Sequence, residues 1–368
     1  MKTRSIKLSL TEVALTTLAA GASAQAIIQN SEVQLGVGQY GALNVGGGTP
    51  STGDGTTTVG LRSVRTNSDS TSPGCECEGW GVGLRSTGQF GQSNNASGGV
   101  QNLSLVSFTS TASTAVSVVN VMSASGTPIL RVSHDYHPIA GTPYLYEVIV
   151  SITNNTGAAL AAGDLVYRRV MDWDIPTPGV ESVTIQGVPA LLGIANGSNL
   201  YRSDNNGFND GNPFSFTSYG CQNVNFTNLR GGDSCGSGTS ASSDEGALFD
   251  FEFEALAAGA TRTFATYYGV APDKATADLA RSLVNGDASD VEIGLYSYGS
   301  CFNGSVGSLP CNPNVGSPDT FIFGFGAAEG VLVPPDGEPN GVPEPSILFL
   351  TGLALAGVGI ARRRKTAV

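Results

Sequence analysis

Charged residues and histidines are scarce in this sequence. Asp, Glu, Lys and Arg together make up 13% of the chain, and its two histidines are His134 and His137. Because the two histidines are three residues apart, their side chains would point to opposite faces of a strand, which argues against a shared metal site. We expect both at the surface near a strand end. Because a Ser-His-Asp triad has no support in the sequence either, we predict a protein that is not an enzyme.

Basic residues are few between the two ends of the chain. Seven of the 18 basic residues lie in the two terminal segments, at Lys2, Arg4, Lys7 and Arg362–Lys365. The same segments contain two of the 30 acidic residues, Glu12 and Glu344. The residues between these terminal segments therefore hold 11 basic and 28 acidic residues, a formal charge of −17. Such a surface repels phosphate backbones, so we expect no nucleic-acid partner. It suits divalent cations and neutral or cationic polysaccharide.

Cysteine occurs six times, in a distribution that predicts disulfides. The number is even, and no Cys/His quartet of the kind that binds zinc accompanies it. In an exported chain we expect Cys221–Cys235 and Cys301–Cys311, each closing a surface loop. Cys75 and Cys77 can pair with each other if the turn between them brings their Cα atoms within reach. Other pairings stay open.

The first 24 residues have the features of a signal peptide. Basic residues precede an apolar stretch at Val13–Ala20, and Ala22-Ser23-Ala24 fits the small-x-small cleavage rule. We therefore predict cleavage after Ala24 and export from the cytoplasm. The apolar stretch is shorter than the roughly 20 residues that a spanning helix needs, which argues against a permanent anchor here.

The segment from residue 342 to 368 combines three features in order. Val342-Pro343-Glu344-Pro345 precedes an apolar run at 346–361, and Arg362, Arg363, Arg364 and Lys365 follow at once. The run predicts a short transmembrane helix whose basic flank lies in the cytoplasm, so the preceding chain lies outside it. Residues 331–341 are rich in Pro and Gly and predict a linker.

This ordered segment resembles the PEP-CTERM sorting signal, in which Pro-Glu-Pro, a short apolar helix and an Arg cluster follow one another. The resemblance implies that Pro343, Glu344 and Pro345 are recognised by exosortase, a membrane-embedded transpeptidase-like enzyme. It implies that Arg362, Arg363, Arg364 and Lys365 retain the chain at the inner membrane before it reaches the cell surface or extracellular matrix. Exosortase, the inner membrane and exopolysaccharide are the expected partners. Whether the helix is then cleaved stays open.

Between the two signals, apolar runs of strand length alternate with turn-forming clusters. Within Tyr144–Thr153, the residues Tyr144, Tyr146, Val148, Val150 and Ile152 share one face at period two. Similar runs predict strands at Val100–Val121, Ile129–His134, Leu165–Trp173, Ser182–Ile185, Ala247–Phe253, Thr261–Val270, Val291–Tyr298 and Thr320–Phe325. We therefore predict an all-β domain at residues 25–330, an antiparallel β-sandwich with one covering helix.

The covering helix is predicted just after Pro272. Pro272 suits a first helical turn and Asp273 suits the positive end of the helix dipole, while Asn285-Gly286 would end the helix. Ala275, Leu279 and Leu283 form an apolar stripe that we expect to cover a sheet edge or end. Two further segments, Gly36–Asn67 and Tyr201–Asp244, are rich in turn-forming residues and predict an irregular N-terminal part and a long loop.

Asp204-Asn-Asn-Gly-Phe-Asn-Asp210 is the best candidate for a ligand site. Side-chain oxygens at alternating positions around a glycine turn suit calcium, a hard cation that takes about six to eight oxygen ligands. We expect Asp204, Asn206 and Asp210 to contribute, although their spacing differs from that of an EF-hand loop. An ordinary Asn/Asp/Gly turn is the alternative. No other cofactor is expected.

Asp172 and Asp174 are a second pair of interest, because they flank Trp173. Paired carboxylates beside an aromatic ring occur in glycoside hydrolases. On one strand, however, their Cα atoms would lie only about 6.5 Å apart. We favour the alternative that they neutralise Arg168 and Arg169 through cross-strand pairs.

Three functions are compatible with these patterns. The favoured one is a non-enzymatic surface or matrix protein sorted through the segment 342–368. The others are a carbohydrate- or calcium-binding surface module and a secreted hydrolase. The stretch Tyr167 to about Phe325 also looks like the body of many PEP-CTERM chains, in Tyr167–Asp174, Gly246–Phe251 and Tyr267–Gly269. That resemblance implies an extracellular domain without assigned catalytic residues.

Overall fold

The computed structural model describes residues 24–53, 55–72, 74–175, 181–235, 244–284, 293–301, 319–326 and 331–333. The predicted signal peptide up to Ser23, the segment 342–368 and Cys311 lie outside these ranges, as does most of the predicted linker. Within these ranges, no helix is both long enough and apolar enough to cross a membrane. The predicted transmembrane helix at 346–361 falls outside the described residues.

Nearly all the regular structure in the described ranges is β-strand. In chain order the strands are β1 Gln25–Gln29, β2 Val33–Gly38, β3 Leu61–Ser63, β4 Glu78–Leu84, β5 Gln89–Asn94, β6 Gly99–Gln101, β7 Leu103–Ser110, β8 Ala115–Met122, β9 Pro128–Pro138, β10 Leu145–Asn154, β11 Leu165–Asp172, β12 Glu181–Gln186, β13 Leu200–Asp204, β14 Phe226–Leu229, β15 Gly246–Glu252, β16 Thr261–Ala271, β17 Leu295–Cys301, β18 Thr320–Phe325 and β19 Val331–Val333. The helix α1 spans Lys274–Ser282. The predicted all-β class is confirmed.

The strands form three sheets, in which all neighbours are antiparallel. The largest has the order β14-β12-β17-β18-β16-β10-β9-β8-β7, with β19 also paired to β16. The second has the order β13-β15-β11-β4-β5-β6, and the third is β1-β2-β3. Because residues 331–333 pair with Thr261–Thr263, the sheet extends three residues into the predicted linker at 331–341.

The two large sheets stack face to face through aromatic side chains. Tyr167 of β11 lies edge-on to Phe264 of β16, with ring centroids 5.1 Å apart, and Phe249 of β15 contacts Phe325 of β18 at 5.2 Å. These rings alternate along each strand with residues that face away, as the period-two patterns require. This packing is the two-layer arrangement that the sandwich prediction describes.

Strand prediction works best where the pattern alternates. In β10, the inward residues Tyr146, Val148, Val150 and Ile152 are fully buried, as predicted. The expectation of an irregular segment at Gly36–Asn67 is only partly correct, because it contains the end of β2 and all of β3. Buried polar contacts hold this segment in place; Asp69 Oδ2, for example, accepts the Gly60 N–H at 2.8 Å. Because polar residues make these contacts, the segment shows no periodic pattern of apolar residues.

The helix is predicted in the right place, but its buried face is wrong. Asp273 is the N-cap, and its Oδ1 accepts the Thr276 N–H at 2.7 Å. The predicted stripe faces outward, with Leu279 57% and Leu283 43% exposed. Ala277 and Ala280 instead face the outer side of the large sheet, in one cluster with Ala265 and Ala271. The helix therefore packs on the sheet through its small alanines, while its leucines face outward.

His137 projects from the outer side of the large sheet. Its Nε2 lies 2.9 Å from Glu147 Oε2 and its Nδ1 lies 3.8 Å from Asp135 Oδ1. Tyr267 donates a hydrogen bond to the other Glu147 oxygen at 2.9 Å. Hydrogen bonds to Asp135 and Glu147 raise the pKa of His137 from 6.5 to about 10. The prediction of a surface position is confirmed for this histidine.

We expect His137→Gln to lower stability in a pH-dependent way. Since the folded-state pKa is the higher one, the charged form stabilises the fold fully below about pH 6.5, and this contribution is lost as pH rises through about 10. Because the side chain is 34% exposed, we expect a loss of at most about 1 kcal/mol. Urea unfolding of the wild type and of His137→Gln across this pH range measures the loss of unfolding free energy. A difference that stays constant up to alkaline pH would contradict the assignment.

Candidate functional site at one end of the sandwich

Several strand ends of the six-stranded sheet meet at one end of the sandwich. Antiparallel pairing places the end of β11 beside the starts of β4 and β15, with Met171 opposite Glu78 and Asp172 opposite Gly246. The segment after β13 packs on the same place, since a side chain at Gly207 would overlap the Asp172 backbone. Acidic residues and two disulfide-forming cysteines come together here from distant parts of the sequence.

Five carboxylates belong to this end: Asp172, Asp174, Asp204, Asp244 and Glu245. Burial, and then the charge of Asp244, raise the pKa of Asp174 to about 6. Burial also raises the pKa of Glu245 to about 7, with Asp204 and Asp244 adding to the shift. Like charges close together in a partly buried position disfavour full ionisation. Near neutral pH this end therefore carries less than its full negative charge.

Cys75 and Cys77 form a disulfide beside these carboxylates. Their Cα atoms lie 5.1 Å apart, so the conditional prediction of this pair is confirmed. Cys75 Sγ lies 3.3 Å from Asp172 Oδ2, and the Cys75 N–H donates to Asp174 Oδ2 at 3.2 Å. Asp174 thus connects the segment before β4 to the segment after β11.

Among the described residues, one group of three has potential metal-ligand atoms that all lie within 4.8 Å of one another: Cys75, Asp172 and Asp174. Cys75 is oxidised and offers no thiolate, so the ligands left to a metal are the carboxylate oxygens of Asp172 and Asp174. Carboxylate oxygens suit a hard cation such as Ca²⁺. Sequence reasoning missed this group, because Cys75 and Asp174 are 99 positions apart.

The structure places Asp172 and Asp174 away from the two arginines that they were expected to neutralise, so that interpretation is wrong. Arg168 instead pairs with Asp250 at 2.7 Å, and Arg169 pairs with Glu78 at 2.7 Å. The reason is that successive residues of β11 point to opposite faces of the sheet, and each arginine finds a carboxylate on its own face.

The predicted calcium ligands are held by hydrogen bonds within their own loop. Asp204 Oδ1 accepts the N–H groups of Asn206 and Tyr219 at 2.9 and 3.0 Å. Asn206 Oδ1 accepts the Phe208 N–H at 2.9 Å, and Asp210 Oδ1 accepts the Asn212 N–H at 3.1 Å. These are the side-chain-to-backbone contacts of Asx turns. Calcium binding by Asp204, Asn206 and Asp210 stays a prediction.

Arg168 fixes this loop on the outer face of the six-stranded sheet. While Nε and Nη2 bind Asp250, Nη1 donates to the carbonyl oxygens of Asp210, Asn212 and Ser215 at 3.2, 2.7 and 2.7 Å. Beneath the loop, β4 presents Gly81 and Gly83, where a side chain would overlap Gly211 and the Phe214 ring. The loop therefore lies flat on the strand and leaves Phe214 38% exposed.

The predicted loop disulfide Cys221–Cys235 is confirmed, with Cα atoms 5.4 Å apart. Cys221 belongs to the same end of the molecule, because its N–H donates to Asn205 Oδ1 at 3.0 Å. The third predicted pair, Cys301–Cys311, cannot be placed, since Cys311 and the Cys301 side chain lie outside the described residues.

A second polar cluster is buried between the sheets around Arg169. Its Nε contacts Glu78 Oε1 at 2.7 Å and the Tyr268 hydroxyl at 2.5 Å, and its Nη2 donates to the Tyr136 hydroxyl at 3.0 Å. Glu78 also accepts the Tyr268 hydroxyl and the Leu43 N–H, both at 2.6 Å. Burial lowers the pKa of Arg169, but the charge of Glu78 acts together with Tyr136, Tyr268 and Tyr167, and their sum raises that pKa well above its usual value.

His134 lies next to this cluster, so the prediction that it lies at the surface is wrong. The residue is fully buried, its Nε2 is 3.2 Å from the Tyr167 hydroxyl, and its ring centroid is 4.5 Å from that of Trp80. Burial, and then the charge of Arg169, lower the pKa of His134 well below 6.5, which keeps the ring neutral. The two histidines do face opposite sides of the sheet, as predicted.

We expect Glu78→Gln to cost about 3–5 kcal/mol of unfolding free energy, because it leaves the Arg169 charge buried without its counter-charge. The matched control is Asp233→Asn, which removes the carboxylate of an exposed pair with Arg230 and should cost under about 1 kcal/mol. Urea unfolding of the disulfide-bonded protein measures both. Equal losses would mean that the buried pair is not a main source of stability.

Comparison with known proteins gives one finding on identity. The sequence model of the PEP-CTERM protein-sorting motif matches residues 341–365. The match includes Pro343, Glu344 and Pro345, the apolar run and Arg362–Lys365. No curated protein matches the chain. The predicted resemblance is thereby confirmed: this chain contains a PEP-CTERM protein-sorting motif.

Proposed function

We propose that this protein is an exported, non-enzymatic component of the cell surface or extracellular matrix, processed by exosortase and associated with exopolysaccharide. The motif at residues 341–365 is the observation that carries the proposal. It supports a route in which the chain crosses the inner membrane, is held there briefly through the apolar run at 346–361, and then moves outward.

The β domain supports an extracytoplasmic role. Its two disulfides, Cys75–Cys77 and Cys221–Cys235, suit an oxidising compartment. The buried carboxylates have structural partners: Asp250 and Glu78 bind arginines, while Asp204 and Asp174 bind backbone N–H groups. These contacts favour a rigid scaffold over a catalytic centre.

Association with neutral polysaccharide is compatible with the charge and the surface rings. The formal charge of −17 between the terminal segments disfavours anionic chains. Phe214 is partly exposed and lies edge-on to Phe90, with ring centroids 6.4 Å apart, on the outer face of the six-stranded sheet. Rings in such positions offer apolar faces to a sugar.

We expect Glu344→Ala to block processing and leave full-length protein in the inner membrane. The matched control is Glu338→Ala, which removes an equivalent acidic residue beside a proline but lies before the motif at 341–365. The control should be processed like the wild type. Intact-mass analysis of protein from envelope and medium measures both ends of the chain and the number of disulfide-bonded thiols. Normal processing of Glu344→Ala would contradict the proposal.

A second candidate function is calcium binding at the end of the sandwich. The observation that favours it is the proximity of the Asp172 and Asp174 carboxylates, with Asp244 close enough to raise the Asp174 pKa further. A bound divalent cation would offset the repulsion among these groups. The proposed calcium site would lie beside the disulfide Cys75–Cys77 and would not use the loop residues that the sequence suggested.

We expect calcium to raise the thermal unfolding midpoint of the wild type, because a ligand at about 100 times its dissociation constant stabilises the native state by about 2.7 kcal/mol. The double variant Asp172→Asn/Asp174→Asn should lose this calcium-dependent shift. Asp135→Asn, which removes a half-exposed carboxylate on another face, is the control and should keep it. If instead only Asp204→Asn or Asp210→Asn abolishes the shift, calcium binds in the loop.

A further inference from the structure

One long part of this acidic protein contains no charge at all. Residues 86–130, between Arg85 and Arg131, include no Asp, Glu, Lys, Arg or His. This stretch forms β5, β6, β7 and β8. A run of this length is unusual for a domain whose surface is otherwise kept soluble by its net charge.

The four strands lie together on one side of the sandwich. β5 and β6 end the six-stranded sheet, and β8 and β7 end the ten-stranded sheet. A single residue, Asn102, joins β6 to β7, so the two sheet edges lie side by side. The opposite edges differ: β13 contains Arg202 and Asp204, and β14 is followed by Arg230 and Asp233. The uncharged side is therefore a distinct surface, which we name the β6–β7 edge.

β7 is the exposed strand of this edge. On its inner side it pairs with β8, and among the described residues its outer side has no partner strand. Leu105 and Val106 are 38% and 45% exposed, and Val100 on β6 is 46% exposed. A register shift between Leu105 and Ser107 leaves Val106 opposite no residue of β8.

An edge of this kind normally carries protection against pairing. Proteins block exposed edges with lysines, inward charges, prolines, bulges or covering segments. In Leu103–Ser110 the one protective feature is the bulge at Val106, since the strand has neither charge nor proline. The bulge limits continuous pairing to short stretches, so a contact through this edge should be reversible.

We propose that the β6–β7 edge is a self-association surface, at which β7 pairs antiparallel with β7 of a second copy of the protein. The occupant of an open strand edge is another extended strand, which supplies backbone N–H and C=O groups. In a two-fold symmetric contact, a residue of one copy that faces a given position in the second copy is itself matched by the same contact in reverse. The same strand therefore supplies both halves of the interface.

The charge distribution favours a second copy over a charged partner. The edge has no charge with which to select a basic or acidic protein, whereas two acidic bodies repel each other wherever their carboxylates meet. They can approach most closely through the side that has no carboxylates. Because screening weakens the remaining repulsion, salt should strengthen this association, while it would weaken an ion-paired contact.

Sedimentation velocity of the full-length wild-type protein tests the proposal, over a range of concentrations and at about 20 mM and about 500 mM salt. We expect a concentration-dependent dimer that is more stable at high salt. Val106→Lys places a charge at the edge of each copy and should weaken dimerisation at least about tenfold, a loss of about 1.4 kcal/mol.

Leu279→Lys is the matched control, because it makes the same chemical change at the exposed face of α1, far along the sequence from the β6–β7 edge. It should dimerise like the wild type, and circular dichroism should show that both variants are folded. A monomeric wild type, equal dimerisation of the two variants, or dissociation at high salt would overturn the proposal. So would loss of binding to a neutral glucan by Val106→Lys with dimerisation unchanged, since the edge would then bind polysaccharide.

Discussion

The guanidinium of Arg169 is the group on which the packing of this domain depends. It extends from the six-stranded sheet, binds Glu78 of the neighbouring strand, and contacts the hydroxyl groups of Tyr268 and Tyr136 on the ten-stranded sheet. It also donates to the Gly41 carbonyl after β2 at 3.3 Å. Burying such a charge is costly unless every hydrogen-bonding group is satisfied, so the sheets can pack in only a few relative positions. Apolar rings alone would permit many.

Arg168 performs the corresponding task on the other face of the same strand. Its guanidinium binds Asp250 and three loop carbonyl oxygens, which fixes the segment after β13 against the glycines of β4. Asp204 ends β13 and reaches the end of the sheet by pairing with β15, where Asp172, Asp174 and Glu245 also lie. The two adjacent arginines therefore explain the packing between the sheets and the position of the loop after β13.

The sequence predicts a residue's position well where its neighbours along the chain show a periodic pattern, and poorly where its contacts come from distant parts of the chain. The alternation in Tyr144–Thr153 predicted β10 to within a residue, and Thr320–Phe325 matched β18. His134 shares its parity with Val132 and Tyr136, so its inward position was available from the pattern, although its residue type suggested the surface. The α1 face was predicted wrongly because hydrophobicity ranks Leu279 above Ala277, whereas close packing favours the smaller residue. The grouping of Cys75 with Asp174 has no local signal, because it arises from strand pairing across 99 positions.

The placement of charge also bears on how such a domain can function while attached to its sorting segment. The last described strand, β19, leaves the ten-stranded sheet on the side of β16 that faces away from β10, five strand spacings from β7. With neighbouring strands about 4.8 Å apart, the exit point lies about 24 Å from the β6–β7 edge. The proposed processing through residues 341–365 and the proposed contact through β7 would therefore use separate parts of the molecule. Net negative charge keeps copies apart at distances of about a Debye length, roughly 8–10 Å, and an uncharged edge lets them meet in one orientation. The same acidic surface would then decide which side of the protein can associate.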